Sequence, residues 1–387
     1  MLSRRHVLAL LAAAPAAAQV SACAPANLPD PVAAWRDPGA GEADPRRFAL
    51  AHAILAPNPH NTQPWLVELD GDEGMTLWCD LDRRLAFTDP LDRQITMGCG
   101  AFLYLYWIAL QQRGLGGQFQ FFPEGEPEPG ARLDSRPLAH VRSTPIDRAG
   151  PLPNPFFEHI LERRTNRNAY AARVPAEDIL RGVGAAAVDW TDMTNPPAAH
   201  WEAQLERVAA LRDLVWRAFD RELRTRGAQE ETYNWLRFGR REMAEHRDGL
   251  AIEAPMAPLL KAVGVLSREA FLDPDSMMNK RATQDWRAKA MSAPAFMWLT
   301  TANDAPTSRL IAGMAYARMN LAATAAGLAM HPWSQALQEY EAMADLYAEA
   351  RTLLGAGDAT LQMLVRVGHA EPAPPAARRA LQAFVRA

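Results

Sequence analysis

Hydrophobic and polar positions alternate along this chain with two periods. Residues 45–55 place Phe48, Ala51, His52 and Leu55 on one side of a helix. Residues 65–69 and 75–81 are short apolar-rich runs on either side of the polar stretch 70–74, which predicts two strands and a turn. Asp92 and Arg93 precede a long apolar helix over residues 97–112. About 15 of its residues are continuously apolar, too few to span a bilayer, so it is expected in the core. Residues 118–122 and 138–143 read as further short strands, as do 294–301 and 361–367 later in the chain. Between about 201 and 284 the pattern is helical and charged, with Trp216, Tyr233, Trp235 and Phe238 set among polar positions. Those aromatics either pack an arm onto the rest of the molecule or line a lid.

The pattern repeats itself. The segment from Gly100 to Leu115 aligns without gaps to that from Gly313 to Leu328, sharing the leading glycine, Ala109 with Ala322, and the closing Gly114-Leu115 with Gly327-Leu328. The expected strand beside each of these helices is 118–122 in one half and 294–301 in the other. Two copies of one α+β unit follow from this reading.

Composition allows a large core: of 387 residues, 49% are apolar and 22% charged. The first residues do not belong to that core. Ser3-Arg4-Arg5-His6-Val7-Leu8 and the Ala/Leu-rich run to Val20 read as a twin-arginine export signal over 1–22, and Val20-Ser21-Ala22-Cys23 as a lipobox. The protein is therefore expected on the periplasmic side, anchored through a lipidated Cys23 or cleaved and free, with 23–45 as a linker. Losing Arg4 and Arg5 takes the formal charge from −4 to −6. A mildly acidic chain without a basic run is a poor nucleic-acid binder. Cys79 and Cys99 then remain, and both are expected to be buried small hydrophobes.

Two separated segments carry the candidate chemistry. Pro57-Asn58-Pro59-His60-Asn61-Thr62-Gln63-Pro64-Trp65 is a stiff loop of turn-formers and amides, able to present hydrogen-bond donors to a flat heterocycle. Arg163-Arg164-Thr165-Asn166-Arg167 sets three guanidinium groups within five residues, suited to clamping a phosphate. Together they resemble the two FMN-binding motifs of the nitroreductase superfamily, P-S-S-x-N-x-Q-P-W and R-x-S-x-[KR]. The arm segments Trp235-Leu236-Arg237-Phe238 and Arg247-Asp248-Gly249-Leu250 resemble its Acg-like, single-chain branch, in which the arm is a lid.

The resemblance implies an α+β nitroreductase-like fold in which two tandem units, 46–150 and 151–387, form an intrachain pseudo-dimer. Each motif occurs once, so one FMN per chain is expected between the halves, in a monomer. Arg163, Thr165 and Arg167 would take the phosphate, with Arg378 and Arg379 returning to it from the C-terminal tail. Pro57, Asn58, Pro59, Asn61 and Gln63 would hold the ring. Pro332, Ser334 and Gln335 fall where the family carries a Pro-x-Glu-Gly element. The sequence departs from the family at Asn58 and Pro59, which replace two serines, and Pro59 has no N–H to donate.

No catalytic side chain is required, because FMN carries the redox chemistry. The nine histidines show no metal spacing. Gly182 and Gly184 imitate a dinucleotide fingerprint, but a polar helical stretch precedes them where a strand is needed. No Gly-x-Ser-x-Gly element is present. The leading reading is an exported oxidoreductase reducing electron-poor aromatics, quinones or similar small acceptors. Its donor is unknown, with NAD(P)H usable in vitro. The alternatives are a protein that sequesters FMN with little turnover and a flavin-free lipoprotein.

Overall fold

The computed structural model describes residues 28–128, 130–146, 154–188, 196–253 and 256–386. The expected signal segment and Cys23 lie outside the described residues. Two four-stranded sheets, antiparallel throughout, organise the rest. The first contains β1 (Trp65–Asp70), β2 (Gly74–Cys79), β3 (Leu115–Phe121) and β4 (Ala139–Pro145), in the order β1-β2-β4-β3. The second contains β5 (Ala198–Glu202), β8 (Ala295–Thr301), β9 (Ala329–Pro332) and β10 (Thr360–Gly368), in the order β5-β8-β10-β9. The short pair β6 (Leu236–Phe238) and β7 (Leu250–Ile252) stands apart and is parallel.

Each sheet has the same helices at the same points. Helix α1 (Pro45–Ala53) precedes β1 and α2 (Arg93–Gln111) joins β2 to β3; α3 (Glu177–Val188) precedes β5 and α10 (Pro306–Ala325) joins β8 to β9. The unit is thus αββαββ, written twice. The second copy carries an insertion between its first two strands: α4 (Leu205–Arg224), α5 (Arg226–Asn234), α6 (Gly239–His246), α7 (Ala257–Ala262), α8 (Arg268–Leu272) and α9 (Met277–Met291). Helix α11 (Ala344–Leu353) lies between β9 and β10. The topology corrects one expected pairing: the counterpart of β3 is β9, and that of β8 is β2.

The internal repeat becomes physical where α2 crosses α10. A Cβ added at Gly100 would lie 2.0 Å from the Leu310 carbonyl oxygen, and one added at Gly313 would lie 2.0 Å from that of Met97. Leu310 stands three residues before Gly313, and Met97 three before Gly100, so each copy offers the other the same contact. Only a hydrogen at both glycines lets the two backbones meet.

Local chemistry explains the element limits. Asp44 accepts from the Arg46 amide (2.8 Å) and Pro45 opens α1. Helix α2 starts earlier than apolarity predicts, because the Asp89 carboxylate accepts from the Gln94 and Ile95 amides (3.0 and 2.9 Å). Strand β1 alternates, Trp65 and Val67 turning into the core with α1 and α2. Strand β8 is buried at all seven positions. One face carries Ala295, Met297 and Leu299 against α3 and α10, while Phe296 and Trp298 face Val208, Leu211 and Val215 of α4. The insertion covers this second face, which is why β8 reads as a continuous apolar run. The tail ends on the first unit: Val385 pairs with Val67 beside β1, with Val67 N donating to Phe384 O (2.8 Å).

Candidate functional site

The loop after α1 is wound tightly. His60, Asn61 and Gln63 have φ of 46°, 55° and 53°, a region that costs a non-glycine residue about 1 kcal/mol or more. Its amide side chains hold that shape. Asn58 Oδ1 accepts from Gln63 N (2.8 Å), and its Nδ2 donates to Ala56 O (3.0 Å). Asn61 Nδ2 donates to Gly249 O (3.1 Å) and Ala377 O (3.0 Å), while Gly249 N donates back to Asn61 O (3.1 Å). Gln63 Nε2 donates to Arg247 O (2.9 Å), and its Oε1 accepts from Arg379 N (2.9 Å). These side chains were expected to face a heterocycle. They are instead engaged within the protein, because a left-handed loop without glycine must be pinned from several sides. Pro59 and Asn58 rest on Gly98 of α2, where a Cβ would approach their side chains to 3.1–3.2 Å. Cys99 lies beneath, its thiol donating to Pro64 O (3.7 Å), and both described cysteines are buried.

The arginine run lies along the edge of the second sheet. Thr165 pairs with Met330 of β9, and Asn166 N donates to Met330 O (3.0 Å). Arg163 is buried and donates from Nη2 to Leu55 O (3.2 Å) at the end of α1; its Nε and Nη1 are sealed from solvent without a partner. Burial pushes Arg163 down to about 10. Arg167 is exposed, and the protein around its guanidinium lowers its pKa by desolvation. Its charge is felt by His60, Tyr170, Tyr316, His331 and Arg366. Burial, and then Arg167, push His60 down to about 4. Among the described residues, Arg163, Arg164, Arg167, Arg366 and Arg378 form no ion pair. Guanidinium groups that form no ion pair suit an anion.

The tail arginines bond within the protein, and Arg378 feels the charges of Arg163 and Arg164. Arg378 donates to Ile54 O (2.8 Å), Leu55 O (3.1 Å), Ala56 O (3.0 Å), Ala377 O (3.0 Å) and Asn61 Oδ1. It caps the carbonyl end of α1 and has no donor left for a phosphate. Arg379 donates to Ala383 O (3.0 Å), and its charged neighbours are Arg83, Asp80, Asp248 and Arg247. Both residues hold the loop from the tail, through Asn61 and Gln63.

The side chains of the segment after α10 are engaged in the same way. Pro332 pairs with Val365 of β10. Ser334 Oγ donates to Leu364 O (2.9 Å) and accepts from Leu364 N (3.1 Å). Glu222 of α4 accepts from Gln338 Nε2 (2.5 Å). Ser334 therefore fastens the end of β9 to β10, and Gln338 ties the following segment to the insertion. His331, one residue before Pro332, is the member of this segment that faces Arg167.

The insertion reaches His60 and His331, both of which feel the Arg167 charge. Thr232 of α5 lies 3.3 Å from His60 Nε2. Trp286 of α9 stacks on His331 at 6.3 Å, and Lys289 O accepts from Arg366 Nη1 (2.7 Å). A clip fixes it further: Asp248 takes Arg237 through Nε (3.0 Å) and Nη2 (2.7 Å) and Arg83 through Nη1 (2.9 Å), while Arg83 also donates to Thr62 O (2.8 Å). A surface cavity of about 530 Å³ opens beside this clip, lined by Arg84, Glu231 and Trp235, and a second of about 280 Å³ lies near Arg36 and Ile54. Arg167 lines neither.

Sequence reasoning missed several of these residues. Trp35, in the segment expected as a linker, is buried with Arg163, Arg164 and Arg378 at 6.0, 4.5 and 5.3 Å from its ring, and its Nε1 donates to Ala376 O (2.8 Å). An isolated aromatic in a Pro/Ala/Asp-rich stretch was the available signal. Tyr316 aligns with Leu103 in the internal repeat, and that polar-for-apolar exchange was legible. Tyr170 and Arg366 gave no comparable sign. Among the described residues no helix is long and apolar enough to cross a membrane, and no cluster of metal-ligating side chains occurs.

No family model matches the chain. It is 29% identical over 355 residues to "Putative NAD(P)H nitroreductase Rv3131" of Mycobacterium tuberculosis, covering 89% of this chain and 92% of that protein. Over 126 residues it is 32% identical to "Putative NAD(P)H nitroreductase acg" of the same organism, covering 32% of this chain and 35% of the relative. The FMN-dependent nitroreductase NfnB of Mycobacterium smegmatis, solved with NADPH, superposes with a TM-score of 0.36 at 18% identity, over 60% of this chain and 97% of that one. Over most of its length, then, the chain is similar in sequence to a protein named as an NAD(P)H nitroreductase.

Proposed function

We propose that this chain is an FMN-dependent oxidoreductase of nitroreductase type, with one flavin held between its two units. The observation that carries the reading is the arginine run, which would floor a flavin cleft between the units: Arg163 is buried with unpartnered nitrogens, and Arg167 forms no ion pair among the described residues. The residues suit the cofactor: Arg163 keeps two unpartnered nitrogens, Nε and Nη1, and the pinned loop at Asn58 and Pro59 would offer a preformed wall. Arg163 and Arg167 would take the phosphate. Bound FMN supplies two-electron chemistry that no side chain of the protein provides. The chain's part is to bind and orient the flavin and to exclude water beneath the insertion.

The relatives' names support NAD(P)H as donor, and small electron-poor aromatics or quinones fit as acceptors. The twin-arginine and lipobox residues support export to the periplasmic side, where NAD(P)H is scarce and another donor would be needed. FMN sequestration with little turnover is the second reading, favoured by an insertion that contacts both His60 and His331.

Purified protein from residue 24 onward should carry flavin absorbance and release FMN by mass spectrometry. NAD(P)H should bleach that absorbance, and a quinone or nitroaromatic should restore it. Colourless protein that takes up no added FMN overturns both readings. Bound flavin that cannot be reduced and reoxidised leaves the storage reading.

A further inference from the structure

Three arginines converge on one indole. Trp35 is buried, and the guanidinium carbons of Arg164, Arg378 and Arg163 lie 4.5, 5.3 and 6.0 Å from the centre of its ring. Two of them also share an acceptor: Arg163 Nη2 (3.2 Å) and Arg378 Nη2 (3.1 Å) both donate to Leu55 O, just before the amide loop. Among the described residues none of the three forms an ion pair. Glu162, the acid beside the run, bonds His159 Nδ1 instead (2.8 Å). Arg164 is folded back on its own run, donating from Nη1 to Leu161 O (2.8 Å) and Arg163 O (2.7 Å). Like charges gathered this closely repel, and an indole face is the neutral side chain that attracts cations best.

The segment that carries Trp35 has anchors of its own. Trp35 Nε1 donates to Ala376 O (2.8 Å), and Pro31 O accepts from Arg378 N (2.9 Å). Gly39 rests on the Phe48 ring of α1, where an added Cβ would lie 2.7 Å away. Residues 31–39 thus strap the C-terminal tail and α1 of the first unit to the arginine run of the second.

We infer that Trp35 is a positioning residue for Arg163. Its indole face gathers the three guanidinium groups and keeps Arg163 on Leu55 O, so that the unpartnered Nε and Nη1 are held for the phosphate of the flavin. The inference rests on the function proposed above. Because Trp35 acts through Arg163, its effect is confined to ligands that carry a phosphate.

Titrations of the purified protein with FMN and with riboflavin, which has the same ring and no phosphate, test this. Trp35→Leu should weaken FMN binding roughly tenfold and riboflavin binding less than about twofold, and Trp35→Phe, which keeps an aromatic face, should recover most of the loss. In an Arg163→Ala background, Trp35→Leu should change FMN affinity no further, since the group it acts through is gone. Gly39→Ala leaves the indole intact but displaces the strap, because the φ of 72° and the Phe48 ring both oppose a side chain. It should weaken FMN more than riboflavin, and it decides the question if Trp35→Leu does not fold. Where riboflavin binds too weakly to titrate, the double variant decides. Equal losses of FMN and riboflavin overturn the inference and leave Trp35 a packing residue. Additive losses in the double variant overturn it too, as does FMN affinity unchanged by losing the ring. A wild-type protein that binds neither flavin refutes the proposed function as well.

Discussion

Arg167 and Arg378 show how alike two arginines are in sequence and how differently they are used. Arg378 spends its donors on α1 and the loop, whereas Arg167 has no ion pair among the described residues. Arg167→Ala should therefore weaken FMN binding roughly tenfold or more, from the loss of a charge-assisted bond, while the melting temperature stays near wild type. Arg378→Ala should do the reverse first, lowering the melting temperature because several buried carbonyls lose their partner. Flavin titration and calorimetry on the two variants separate the roles. Glu222 offers a pH test. Burial raises its carboxyl to about 7, against an unfolded value of 4.5. The native state thus holds a proton that the unfolded state has released. This group's contribution to stability therefore falls as pH rises from about 4.5 to 7, by about 1.4 kcal/mol for each pH step of one. Glu222→Gln keeps a bond to Gln338 and should flatten that slope in urea titrations.

Among the elements, the α2–α10 crossing is the least tolerant. Gly100→Ala or Gly313→Ala puts a Cβ 2.0 Å from a backbone oxygen on the facing helix, which no side-chain rearrangement relieves. Each should cost about 3 kcal/mol or more, and circular dichroism on heating reads the loss. The Asp248 clip is the matching test for the insertion. Asp248→Asn leaves Arg83 and Arg237 without their shared carboxylate. Flavin release should then quicken by roughly tenfold in a protein that still folds, measured as fluorescence gained after dilution. An unchanged release rate would show that the insertion does not hold the cleft shut.

At the scale of the molecule, duplication is the governing fact. Both copies of αββαββ survive, but the arginine run stands only before α3 and the amide loop only after α1. One cleft per chain is the consequence, and equilibrium titration should give one FMN per chain, in a monomer by light scattering. Two flavins per chain would require a second cleft built from other residues.

Sequence alone was enough for the repeated core helix, because an apolar period is a local signal, and it raised the two chemical segments as candidates, because clustered guanidinium groups are local too. It was also enough to mark Gly100 and Gly313 as equivalent, though not to show that they touch. What Asn61, Gln63, Ser334, Gln335, Arg378 and Arg379 do was decided by tertiary structure. Each is a versatile hydrogen-bonding side chain, and its partner lies up to some 300 residues away, as Arg378 does from Asn61. Whether such a group faces a ligand or a carbonyl depends on which backbone the fold carries past it, and no local pattern records that. Trp35 shows the same limit: its residue type was visible, but only the fold brings Arg163, Arg164 and Arg378 to its ring.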